Sequence, residues 1–204
     1  LDASLGYFLL PLVNVALGVL VLGERLARAE WIGVALAAAG VAWLGWASPR
    51  FPWVALVLAF SFGLYGLIKK RTTLQPAEGL ALETALIALP ALAVLLWLGT
   101  RGELAFGHTS RGLDALLIST GVMTTVPLVA FAYAAQRLSM AALGMLQYVS
   151  PSLQFVLGIW VLHEPMDARR LAGFVAVWAG LAVFTGAALL RRRRAAPRPV
   201  ADAA

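Results

Sequence analysis

The sequence predicts an all-α fold, a polytopic transmembrane helix bundle with seven spans, read as part of a ten-span inverted repeat of two five-helix halves. Three observations carry this expectation. The first is composition: 61% of the 204 residues are hydrophobic and 13% are charged, with a mean hydropathy of +0.85. Soluble domains run at about 45–50% apolar and about 25% charged, so this balance belongs to an integral membrane protein. The second is the recurrence of apolar runs of about 20 residues, the length a helix needs to cross a hydrocarbon core of about 30 Å. The third is an internal duplication. A shift of 140 residues lays Pro11 on Pro151 and, without a gap, brings Leu17, Gly18, Val21, Leu22, Glu24, Gly33, Ala39, Gly40 and Ala42 onto identical residues.

Each span follows from its own stretch of sequence. The first runs from about Ser4 to Leu22 and ends in the polar turn Gly23 to Ala29. The second, Trp31 to Trp46, is rich in Ala and Gly, as helices are that approach closely in lipid, and stops before Ser48-Pro49-Arg50. The third, Pro52 to Ile68, carries Ser61 and Tyr65 at i, i+4 and ends at Lys69-Lys70-Arg71. The fourth, Leu80 to Leu98, has Glu83 near its start and Pro90 in its middle; a loop with His108 follows. The fifth, Asp114 to Ala135, gathers Ser119, Thr120, Gly121, Thr124, Thr125 and Pro127. Such a cluster fits a kinked or locally unwound span, as at carrier sites, and equally a regular helix whose hydroxyls bond back to its own carbonyls. The sixth and seventh spans are Ala141 to Leu162 and Leu171 to Leu190, and Arg191 to Arg194 open a basic tail. The expected divisions are residues 1–48, the last two helices of a first half; 49–190, a complete second half; and 191–204, a tail without regular structure.

The sixth span holds the chain's polar centre. Gln147, Pro151 and Gln154 stand at i, i+4, i+7 and share one helix face, beside Tyr148. The first span repeats that face with Tyr7, Pro11 and Asn14. Polar groups at membrane depth face a cavity or a neighbouring helix rather than lipid. Tyr7, Asn14, Gln147, Tyr148 and Gln154 therefore either line a substrate cavity or join helices, at about 0.6 kcal/mol per bond on average. Their recurrence at equivalent positions favours the cavity. Pro11 and Pro151 read as helix kinks, each freeing a carbonyl. Glu83 is the carboxylate nearest to lying inside an apolar span. It reads as a coupling group for a proton or cation, or as an interfacial acid suited to a helix start. Glu24 and Glu164 end the repeated helices and read as turn residues.

Several classes of chemistry are excluded. Without cysteine there are no disulfides, thiolate nucleophiles or Cys-based metal sites. His163-Glu164 is no zinc-protease motif, because the second His of HExxH would fall at Asp167. An enzyme needs titratable groups gathered at one depth; here Glu83 stands in a span and His108 and His163 in loops, so no enzyme, metal or cofactor is expected. The net charge of +6 sits between and after the spans, which loop topology explains without nucleic acid as a partner. Arg25, Arg28, Lys69, Lys70, Arg71, Arg137, Arg191 to Arg194 and Arg198 share one side, against Arg50, Arg101, Arg111, Arg169 and Arg170 on the other. The positive-inside rule places the first side, with the C-terminus, in the cytoplasm, and the tail decides it. The two copies start five spans apart, so they cross the bilayer in opposite directions, as the repeats of many secondary carriers do. If the repeat unit is five helices, three more belong before Leu1. The expected partners are a small-molecule substrate, the lipid bilayer and those three N-terminal helices. The competing reading is a non-transporting accessory subunit or a truncated, inactive remnant.

Four stretches resemble a known family: ASLGYFLLPLVNVALGVLVLGERL (Ala3 to Leu26), SFGLYGLIKK (Ser61 to Lys70), GLALETALIALP (Gly79 to Pro90) and LGMLQYVSPSLQFVLGIWVLHEP (Leu143 to Pro165). They look like the RarD branch of the EamA permeases, in the drug/metabolite transporter superfamily. The resemblance implies ten helices in two inverted halves and movement of small metabolites or drugs across the bacterial inner membrane. It adds Tyr65 and Thr124, which match family motif positions, to the candidate substrate-binding residues. His163 departs from it, standing where such halves usually carry Gly, as Gly23 does in the first copy.

Overall fold

A computed structural model describes residues 2–46, 53–161, 163 and 168–195. Ser48-Pro49-Arg50, Glu164 and Arg198, used above, lie outside them. All regular structure among the described residues is helical: α1 (Asp2–Leu22), α2 (Arg28–Trp46), α3 (Trp53–Arg71), α4 (Pro76–Thr100), α5 (Arg111–Arg137), α6 (Met140–Gln147), α7 (Val149–Trp160) and α8 (Ala168–Ala195). Six stretches are long and apolar enough to cross a membrane: α2, α3, α4, α5, Met140–Trp160 and Leu171–Arg191. The apolar part of α1, Tyr7–Leu22, is shorter. The chain is a multi-pass membrane protein.

Local chemistry explains where the elements differ from the sequence reading. The expected sixth span is two helices meeting at Tyr148. Pro151 has no N–H to return to the Gln147 carbonyl, and the Tyr148 N–H tightens onto the Met145 carbonyl at 3.2 Å. Pro11, Pro90 and Pro127 lie inside helices that run through them without such a division. α4 begins at Pro76, ahead of Leu80, because Pro suits the first helical turn and Glu78 reaches back to the Gln75 N–H at 3.2 Å. α8 continues to Ala195, so Arg191 to Arg194 are helical rather than part of an unstructured tail. Arg191 Nη1 is held by the Arg25 carbonyl and by Glu30 Oε2, both at 3.0 Å. α5 is likewise one uninterrupted helix. The Thr124 and Thr125 hydroxyls donate to the Thr120 and Gly121 carbonyls at 2.7 Å each, so back-bonding takes the place of an unwound segment.

The helices group into two compact units. One holds α1, α2, α3 as far as Leu67, α6, α7 and α8; the other runs from Ile68 to Leu138. In the first unit, α2 and α8 pack along their length in opposite directions. A Cβ on Gly33 would stand 2.7 Å from the Gly180 carbonyl oxygen, and one on Gly40 would stand 2.7 Å from that of Gly173. Bare backbones meet there, and Val34, Ala37, Val41, Val177 and Phe184 fill the core around them. In the second unit, Lys70 Nζ donates to the Ala135 and Leu138 carbonyls at the end of α5. Gln136 Nε2 donates to the Leu74 carbonyl at 2.8 Å.

Gly23 and His163, equivalent in the duplication, both have left-handed backbone, at φ 65° and 51°. Glycine adopts this freely, whereas a residue with a Cβ carries a penalty of roughly 1–2 kcal/mol. The His163 side chain is exposed, so little packing is lost with it. His163→Gly is therefore expected to stabilise the protein by about 1 kcal/mol, read as a raised thermal midpoint in detergent. An unchanged or lower midpoint would rule this strain out.

Candidate functional site

Three of the polar residues picked out by the sequence, Asn14, Gln147 and Tyr148, come together where α1 crosses α6. Gly144 permits the crossing: a Cβ there would lie 2.5 Å from the Pro11 carbonyl oxygen and 3.0 Å from Asn14 Cβ. With the helices this close, Asn14 Nδ2 donates to Gln147 Oε1 at 2.6 Å. Asn14 is 0% exposed, and its Oδ1 has no hydrogen-bond partner among the described residues. On the α3 side the space is kept by Gly63, whose Cβ, if present, would stand 3.5 Å from that oxygen. Tyr148, also 0% exposed, donates its hydroxyl to the Phe8 carbonyl at 3.3 Å. It thus ties the α6–α7 junction to α1.

The other candidates are placed differently. Tyr7 is 53% exposed and Gln154 is exposed, although they stand at the positions equivalent to Gln147 and Asn14. Tyr65 is half-buried on α3. Pro11 offers its carbonyl to the Gly144 face, and Pro151 is buried just beyond the helix break. In the second unit, Thr124 is exposed and satisfied by its own helix. Glu83 Oε1 lies 2.8 Å from Lys69 Nζ, with the lysine side chain 2% and the carboxylate side chain 39% exposed.

Two features of the crossing were not readable as function. Glu24 does more than end a helix: its carboxylate accepts from the Met140 and Ala141 N–H groups at 2.6 and 3.0 Å, capping α6 where the helix dipole favours an anion. Its recurrence at 164 marked it as special, but nothing local names a partner more than a hundred residues away. Beside Tyr148, Phe8, Phe155, Phe174 and Trp178 form an aromatic cluster. Phe155 and Phe174 have centroids 4.0 Å apart, and Trp178 Nε1 donates to Ser152 Oγ at 2.8 Å. Apolar periodicity gives no indication of such pairing.

Comparison with known proteins agrees with this architecture. The sequence model of the EamA-like transporter family matches residues 52–186. A protein RarD from Streptomyces exfoliatus is 50% identical over 197 residues, covering 97% of this chain and 62% of the relative. The uncharacterized transporter YojE of Bacillus subtilis is 46% identical over 185 residues, 91% of this chain and 61% of the relative. The chloramphenicol-sensitive protein RarD of Pseudomonas aeruginosa is 35% identical over 196 residues, 95% of this chain and 64% of the relative. The chain thus spans somewhat under two thirds of the length of these curated relatives. No solved structure matches it. A helical membrane bundle crossed at a polar seam, a family model matched over most of its length and close likeness to transporters make this chain a member of the EamA-like transporter family, of the RarD type.

Proposed function

We propose that the chain forms most of a secondary carrier that moves small metabolites or drugs across the bacterial inner membrane by alternating access, its C-terminus in the cytoplasm. The observation that carries this reading is the behaviour of the α1, α2, α6 and α8 contacts under the 140-residue shift. The Gly33–Gly180 contact becomes Gly173–Gly40, which is also made, and the Tyr148–Phe8 contact becomes itself. Contacts that map onto one another in this way support two inverted copies related by a two-fold axis, the plan on which many carriers are built. The polar pair is the exception. Asn14–Gln147 is bonded, with Asn14 buried and Gln147 half-buried, whereas its image, Gln154 and Tyr7, is exposed. We read the difference between the two equivalent ends as the asymmetry that an inverted-repeat carrier exchanges during its cycle.

The greater length of the relatives supports three further helices ahead of this chain, completing ten spans and covering apolar faces of the bundle. The bilayer covers the rest. Tyr65 and Thr124 remain candidates for the substrate path. Glu83, paired with Lys69, is the candidate coupling group: protonating it would break a partly buried ion pair, and so tie proton binding to helix movement. The chloramphenicol in the printed name of the Pseudomonas relative belongs to that protein; for this one, a drug-like solute is one member of the proposed class.

The absence of cysteine offers a direct test. Single cysteines at Tyr7 and Gln154 in a cysteine-free background should react with a membrane-impermeant maleimide from either side of sealed vesicles. Labelling from one side alone would defeat alternating access.

A further inference from the structure

In the unit that contains the seam, no carboxylate, amine, guanidinium or imidazole occurs within residues 7–22, 31–46, 53–67, 140–161 or 171–190. The described charges of this unit stand at helix ends or in the turns beside them. Glu24 caps α6, and Glu30 is shared between the Ala27 N–H at 2.7 Å and Arg191. The seam itself is built from amides and a phenol, Asn14, Gln147 and Tyr148. Within it Asn14 Oδ1 is a fully buried acceptor that no group among the described residues satisfies. Leaving such an oxygen unpaired in a medium without water is costly, and the cost is relieved by a donor that arrives with a ligand. A charged group entering the same place meets no counter-charge within these helix interiors, and desolvating it is far more costly than desolvating a neutral polar group.

Resting on the carrier reading, we infer that the Asn14–Gln147 seam receives a neutral solute that presents an N–H donor to Asn14 Oδ1. Asn14 is then a specificity residue: its amide oxygen reads the donor, and its lack of charge turns away ions. The closed pair is the state in which that oxygen waits unpaired. Half-buried Gln147, with an N–H₂ still to give, is the side from which a solute carrying an acceptor beside its donor is reached.

The test measures thermal unfolding of the complete protein in detergent against matched probes. Leucine and phenylalanine are each offered as the zwitterionic amino acid, the neutral N-acetyl amide, the anionic N-acetyl acid and the cationic amino amide. The neutral N-acetyl amide of at least one skeleton should raise the midpoint by about 3 °C at saturation, and the zwitterionic, anionic and cationic members should not. Asn14→Leu should abolish the shift. The near-isosteric Asn14→Asp should transfer it to the cationic amide, which keeps the test decisive if the leucine variant folds poorly. Stabilisation by zwitterionic or charged members only, by none of the probes, or unchanged in both variants overturns the inference. Cysteine labelling from both sides would leave the carrier reading standing in each of those cases, so the two can fail separately.

Discussion

Gly180→Leu is expected to remove most of the folded protein from the membrane. A Cβ at this position would stand 2.5 Å from the Gly33 carbonyl oxygen and 2.7 Å from the Ala37 nitrogen. Both neighbours are backbone, so no side chain can swing away, and the added atoms can be accommodated only by separating α2 from α8. Overpacking a close-packed interior costs typically 1–3 kcal/mol. Here the separation also uncovers the packing of Val34, Ala37, Val41, Val177 and Phe184, so about 3 kcal/mol or more is expected. Gly186→Leu, on the same helix, is the control: nothing lies within 4 Å of a Cβ there, and replacing glycine in a helix gains up to about 1 kcal/mol. Fluorescence-detected size exclusion should give a monodisperse peak for Gly186→Leu and little for Gly180→Leu. Equal peaks would mean that the α2–α8 contact does not hold the bundle together.

Asn14→Leu and Gln154→Leu should each reduce transport by the complete protein about tenfold or more while leaving its membrane level within a factor of two of the parent. The expected loss corresponds to one substrate hydrogen bond left unmade in a dry site, about 1–3 kcal/mol, with about 1.4 kcal/mol for each factor of ten. Stability should move far less. The Asn14–Gln147 bond is a single interhelical contact of the kind that contributes about 0.6 kcal/mol on average, and Asn14→Leu also removes an unpaired buried oxygen. Gln154 is exposed, so its replacement disturbs no packing in this conformation. The pair of variants is informative because one residue is buried and bonded and the other is neither, so a common effect points to the solute path. Transport unchanged in both would remove the seam from that path. Protein lost in proportion to transport would return these residues to helix packing.

Much of this was legible in one dimension. Composition and the lengths of the apolar runs determined the fold class, because lipid leaves the backbone no stable option but a closed set of internal hydrogen bonds, and a helix makes those locally. The duplication marked Gly33, Gly40, Gly173 and Gly180 and the two polar faces before any contact was known. The left-handed backbone shared by Gly23 and His163 shows the repeat reaching down to single torsion angles.

Only the tertiary structure decided which copies of these features meet. That Gly33 faces Gly180, that Asn14 bonds Gln147 while Gln154 stays exposed, that Glu24 caps a helix beginning at Met140 and that Lys69 takes Glu83 are all long-range choices. Several residues in the chain would have satisfied each local requirement equally well. The division of the sixth span at Tyr148 is of the same kind. Pro11 and Pro151 remove the same backbone donor, yet α1 runs through its proline and the other copy breaks, with Tyr148 pinned to the Phe8 carbonyl of a neighbouring helix. The sequence by itself determined that the chain is a set of membrane helices with a repeated polar face, since that follows from local hydrogen bonding in a waterless medium. The pairing of those faces, and with it the unpaired oxygen of Asn14, is decided by packing among helices far apart in the chain.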